Sequence, residues 1–461
     1  MSINQTLSVT APLPAQSLTQ GTTGAVDSDL KLLQYGIWAY FFLLIFEGAL
    51  RKWFLPTLAT PLLLARDPIA LWLIVKAWQR GLVPATFYVS GTIFIGFFGI
   101  VTAVLLGHGN VLVALYGART LLLHFPLIFI IGRVFNREDV IKMGKVTLGI
   151  AIPMVVLIAL QFYSPQSAWV NRGVGGDMEG SGFSGALGYF RPSATFSFTN
   201  GATSFFSFVA PFVFFFWLDK KKISRLLLLG ATGALLFSIP LSISRGLFFQ
   251  VALSLGFVIA ATTRKPENLW KMVVAVASAT IVLTLLSQLS IFATATEAFT
   301  ARFDSANEQE GGVEGVFLDR FLGGLIGALT SSSGLPFFGY GLGMGSNVGS
   351  QLLTGNVGFL IAEGEWGRLI GELGPLLGIS MVLIRLGLAL KFAWASYIKL
   401  ASGDLLPWML LSYGFLNIAQ GGWAQPTSLG FCTLIGGLLI ASFRPSQAGT
   451  EASPARGMRY K

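Results

Sequence analysis

An all-α polytopic membrane protein is the fold class this sequence predicts, and three observations predict it. Of its 461 residues 53% are hydrophobic, and the mean hydropathy is +0.70, a combination that soluble domains do not reach. The apolar residues are gathered into runs of the ~20 residues that a bilayer-spanning helix needs. Lys and Arg are distributed unevenly between alternate gaps separating those runs, as topology signals are.

The elements follow in order. Residues 1–31 are rich in Ser, Thr, Gln and Gly, with neither a basic start nor an apolar core, so they read as a disordered cytoplasmic tail and not as a signal peptide. About twelve spans come next, near 32–50, 61–78, 86–107, 110–132, 141–162, 199–218, 224–243, 245–263, 270–290, 369–392, 405–420 and 427–443, forming one integral membrane domain over 32–443. Residues 444–461 read as a second disordered cytoplasmic tail. Of the 31 basic residues, 21 fall at the termini or in every second gap, nine lie on the opposite side, and Arg119 lies within a span. The positive-inside rule therefore places both termini in the cytoplasm, in agreement with an even number of spans. Two long segments, about 163–198 and 291–368, face outward. The first is Gly-rich with no core of its own; the second holds eight of the 21 acidic residues and a short amphipathic stretch over 317–329 suited to the membrane surface.

Several function classes are excluded at this level. The single cysteine rules out an intramolecular disulfide framework, and the two histidines, His108 and His124, do not make a zinc site, so no metal or cofactor is expected. The net charge of +10 is dispersed over short loops without an aromatic-basic motif, which fits membrane topology and not nucleic acid. Nothing repeats at a fixed period.

Six outward arginines stand where topology signals avoid basic residues: Arg51, Arg66, Arg191, Arg245, Arg320 and Arg368. Arginine grips phosphate bidentately, so the set points to an anionic ligand, although any one of them alone suits snorkelling to headgroups. Arg66 with Asp67 and Glu47 with Arg51 also read as local ion pairs. Within the membrane Arg119 and His124, five residues apart, read as lying on different helix faces, with His124 a packed bundle histidine. A cluster of Glu363, Glu365, Arg368 and Glu372 heads the tenth span. It reads as catalytic, with Glu363 or Glu365 as general base, Arg368 on a phosphate and Glu372 orienting Arg368. It reads equally as an interfacial helix cap.

Four motifs in this order resemble those of the O-antigen ligase and Wzy-type polysaccharide polymerase superfamily. Arg191-Pro-Ser-Ala-Thr-Phe is followed by Asn200, with Ala194 where the family has glycine; Ser-Arg-Gly spans 244–246; Asp319-Arg320 precedes a Pro-x-x-Gly-x-Gly at 336–341; Glu372-Leu-Gly374 completes the set. Glu363-Gly364, nine residues ahead of Glu372, occupies the positions where ligases of the family carry a His-Asn pair, which favours a polymerase. The resemblance implies an inner-membrane glycosyltransferase acting on the periplasmic face upon an undecaprenyl-pyrophosphate-linked glycan donor and a glycan acceptor. No metal is obligatory in the family, and a chain-length regulator is among its candidate partners. The catalytic residues would be Glu363, Glu365, Arg368 and Arg320, with Arg191, Arg245, Arg51 and Arg66 on the pyrophosphate and glycan. Transfer to a lipid A-core acceptor, and transport of an anionic lipid-linked substrate, are the alternatives.

Overall fold

A computed structural model describes residues 22–219, 223–263, 290–310, 335–362 and 364–444. The ninth expected span at 270–290, the surface stretch at 317–329, Arg320, Glu363 and most of both tails lie outside the described residues.

Helices occupy the other expected spans. They are α1 Thr22–Ala49, α2 Arg66–Gln79, α3 Phe87–Leu105, α4 Val111–Arg119, α5 Phe125–Val134, α6 Arg137–Tyr163, α7 Thr199–Leu218, α8 Arg225–Leu241, α9 Arg245–Thr262, α10 Ser290–Glu310, α11 Asn347–Thr354, α12 Glu365–Ala401, α13 Leu405–Gln420 and α14 Pro426–Ser442. Eight of the helical stretches among the described residues are long and apolar enough to cross a membrane. Helix starts follow capping chemistry: Thr86 and Asn110 accept from the first free backbone N–H groups of α3 and α4, and Asn136 with Asp139 forms a reciprocal capping box on α6. The first helix begins inside the stretch expected to be a tail. It is held there because Leu30 packs on the bundle and Asp29 pairs with Arg80.

Among the described residues two helices contain a π-turn, and one of them corrects an expected side-chain direction. Thr120–His124 closes with Phe125 N–H donating to Thr120 O, joining α4 to α5. In an α-helix a five-residue separation turns about 140°, whereas an i→i+5 turn brings both residues to one side. Arg119 and His124 accordingly share a face and both bind Asp67. A second π-turn, Leu50–Phe54, extends α1 and buries Arg51 and Lys52.

The expected tenth span is a folded-back pair. At Gly374 the backbone takes φ 76° and ψ 172°, Pro375 follows, and the helical direction reverses. Arg385 Nη1 donates to Glu365 Oε1 at 2.6 Å across 20 residues of sequence, a separation of ~30 Å along a straight helix. The limbs 365–373 and 375–401 therefore lie side by side; a Cβ on Gly378 would stand 2.6 Å from Ile370 Cα. The short limb's terminal carbonyls are capped from outside it, with Tyr340 N–H donating to Gly371 O and Gly341 N–H to Glu372 O, at 2.8 and 3.0 Å. Only glycine suits the turn, because a Cβ at 374 would lie 2.1 Å from Phe337 O as well as sitting at positive φ. Gly374→Ala is expected to lower stability by about 1–3 kcal/mol or more, read as a lower unfolding midpoint in detergent.

The Gly-rich segment between α6 and α7 is more ordered than expected. It carries an antiparallel hairpin, β1 Phe183–Ala186 and β2 Tyr189–Arg191, a small exception to an otherwise helical protein. After β2 the chain runs against the end of α1, where Gly48 leaves room for it: a Cβ there would meet Ser197 N at 2.4 Å.

Candidate functional site

Three groups of charged side chains stand out, and they differ in how much of their bonding capacity is already used.

The first is a set of three arginines. Arg191 ends β2, Arg245 opens α9 and Arg302 lies on α10. The hairpin is brought to the α8–α9 turn by Gly185, where a Cβ would stand 2.7 Å from Ile243 Cδ1 and 3.4 Å from Arg191 Cγ. That turn is strained, with Ile243 at φ 46°, and is held by Ser244, whose Oγ accepts from Leu247 N–H and from Thr203 Oγ1. Phe299 and Phe303 pack against Phe248 and Phe249, which fixes α10, and with it Arg302, beside the start of α9. Burial, then the positive charges of Arg302 and Arg245, hold the Arg191 guanidinium below the usual arginine range. Its Nε is buried with no hydrogen-bond acceptor. A buried guanidinium donor without an acceptor suits an oxyanion.

The loop that follows Arg191 contains Ala194, singled out in the sequence. Ala194 has φ 52°, a conformation in which glycine is unstrained, so the backbone carries strain at this position. The Gln161 amide clamps it, accepting from Ala194 N–H at 2.7 Å and donating to Ala194 O at 3.2 Å. Lys52, fully buried, donates to Ala194 O and to Ser193 Oγ.

The second group lies where α1, α2 and α4 meet. Glu47 receives both Arg51 at 3.4 Å and Arg66 at 3.3 Å, and Arg51 also donates to Ala59 O and Ser197 Oγ. Arg66 does not pair with its neighbour Asp67. Asp67 is taken by Arg119 at 2.9 Å and by His124 Nε2 at 3.0 Å, and His124 Nδ1 meets the Tyr40 hydroxyl at 3.0 Å. The i, i+4 pair of Glu47 and Arg51 is present as expected. Arg51, assigned to the ligand from sequence, spends Nε and Nη1 inside the protein, whereas Arg66, assigned likewise, spends Nε on Glu47 and Nη2 on Pro426 O and keeps a buried Nη1 without an acceptor.

No family model, curated protein or solved structure matches this chain.

The third group is the one the sequence placed at the membrane–water boundary, and it is buried instead. Arg368 donates from Nε and Nη2 to the two oxygens of Glu365 at 3.0 and 2.8 Å, and from Nη1 to Glu372 at 2.6 Å. Glu365 also accepts from Arg385 and from Trp423 N–H, and the second Glu372 oxygen accepts from Gly345 N–H. Arg385 bonds Ile418 O and Gly421 O at the end of α13 and lies 4.4 Å from the Trp423 ring. Glu372 does orient Arg368, as expected at i, i+4. Arg368 has no free face for a phosphate, and both Glu365 oxygens are occupied by cations, so this group locks the folded-back helix. Arg385, counted as a cytoplasmic loop residue, belongs to it. Hydropathy alone does not register the reversal at Gly374.

Of the sequence-selected residues, the structure brings together Arg191 with Arg245, Arg51 with Arg66, and Glu365 with Arg368. Arg302, Lys52 and Arg385 were not selected, and Glu47 was read only as the partner of Arg51. Arg302 had a readable signal, being an arginine on the outward side in the same segment as Arg320; Lys52 had none beyond its neighbour Arg51.

Proposed function

We propose that this protein is an inner-membrane glycosyltransferase that joins lipid-pyrophosphate-linked glycan repeat units on the outer, periplasmic face. The observation that carries the reading is the convergence of Arg191, Arg245 and Arg302, with the buried Arg191 Nε lacking an acceptor. In the reaction an acceptor sugar hydroxyl attacks the anomeric carbon of the donor, its proton passes to a carboxylate, and the glycosidic C–O bond to pyrophosphate breaks. The arginines neutralise the charge that develops on the leaving pyrophosphate, a stabilisation of the oxyanion type. Glu363 and Arg320 keep their motif-based roles as base and phosphate ligand. Glu365, saturated by Arg368 and Arg385, serves to hold the folded-back α12 and not as the base.

The test is reconstitution in nanodiscs with lipid-linked repeat units. Polymer of increasing length is the expected product; a product capped on lipid A-core would identify a ligase. The folded-back, helix-breaking α12 with charge buried beside it also favours a second reading, a transporter of an anionic lipid-linked substrate, since such breaks line transport sites. Flux across sealed vesicles with no new glycosidic linkage would replace the first reading by the second.

A further inference from the structure

A groove of about 710 Å³ opens between the segment leading into α2, helix α4 and the short helix α11, within the roughly 300–1,000 Å³ range of cavities that hold one small ligand. Its walls are mostly aliphatic, including Leu63, Leu112, Leu115, Val348 and Leu352. Several of these residues are also exposed on the outside of the bundle, Leu112 at 68% and Leu115 at 51%. Leu63, Leu112 and Leu115 belong to segments apolar enough to cross a membrane, which suits a mouth open toward hydrocarbon.

The inner end is different in kind. Asp67, Tyr116 and Arg119 form it. Arg119 is 6% exposed, donates Nη1 to Asp67 and Nη2 to Tyr116, and leaves its Nε without an acceptor. Behind it, outside the lining of the groove, Arg51 and Arg66 share Glu47. A buried guanidinium donor without an acceptor at the bottom of an apolar slot suits the oxygen-bearing end of an amphiphile. From there the polar residues continue toward the arginine set: Arg51 is within electrostatic reach of Tyr116 and donates to Ser197, on the loop that follows Arg191.

We propose that this groove takes the single isoprenoid chain of the lipid-pyrophosphate donor, with Arg119 Nε bonded to an oxygen near the head of that lipid. The inference rests on the donor class stated above and adds where the carrier chain lies. The groove then sets the depth and direction from which the pyrophosphate approaches Arg191. It also gives the site a preference for a one-chain carrier over a two-chain phospholipid, because its volume is bounded by α11.

Two measurements test this on the full-length protein. Affinities for farnesyl pyrophosphate and inorganic pyrophosphate are compared in the wild type and in Leu115→Trp and Val348→Trp, which fill the slot. The preference for the prenylated ligand is expected to fall at least about tenfold in the variants, the effect of losing ~2 buried methylenes. An unchanged preference would overturn the groove assignment while leaving the donor class intact. In the wild type, a diazirine-bearing isoprenyl pyrophosphate is expected to label 112–123 and 347–357, a readout independent of how well any variant folds. Labelling confined to other segments overturns the assignment. If the wild type shows no preference for the prenylated ligand at all, the donor class itself falls, and the groove assignment with it.

Discussion

Glu365→Ala is expected to destabilise the protein by about 3–5 kcal/mol, because it leaves Arg368 and Arg385 buried together without the carboxylate they share. The midpoint of thermal or denaturant unfolding in detergent reads the loss directly. Arg385→Met alone should cost a comparable amount, while Glu365→Met combined with Arg385→Met should recover part of it, since removing both charges also removes their desolvation. An additive double variant would mean that the two side chains do not act as a pair. The same series separates the two roles proposed for Glu365. A base would lose turnover in Glu365→Gln with an altered pH–rate profile and near-native stability; a lock loses stability first, and turnover only in proportion to it.

Arg191→Ala is expected to lower polymer formation by about 10²–10³-fold, the range seen when one preorganised donor to a developing oxyanion is removed. Arg191→Lys should recover little of this, because lysine supplies charge without the planar fork. Arg302→Gln provides the internal comparison. It removes one of the two neighbouring charges that act on Arg191 without touching β2, so it should weaken pyrophosphate binding by a smaller factor. Equal activity of wild type and Arg191→Ala at matched membrane levels would remove Arg191 from the mechanism.

Much of the helical frame was legible in the sequence because a bilayer-length apolar run is a strong signal, and among the described residues helices fall on the expected segments. What escaped was phase and direction. A one-residue excess at Thr120–His124 turned Arg119 and His124 onto the same Asp67, and no periodic pattern of apolar residues marks such an insertion. Gly374-Pro375 was visible as a helix breaker, yet the apolar residues on both sides made 369–392 read as one span. For the site, residue type was informative and partner choice was not: Arg51 and Arg66 were singled out as outward arginines, but only packing shows that Glu47 holds them both. Arg191 and Arg245 are the clearer case, because the tight approach at Gly185 joins two segments that are far apart in sequence.

The folded-back helix also carries a consequence for charge balance along the chain. Its short limb holds Glu365, Arg368 and Glu372, a net charge of minus one, and Arg385 on the long limb restores neutrality at the same depth. Neither limb is balanced alone, and an unbalanced charge is costly in an apolar surrounding. Gly374 thus has a second duty, as the hinge that lets the counter-charge of one limb be supplied by the other, 20 residues further along the chain.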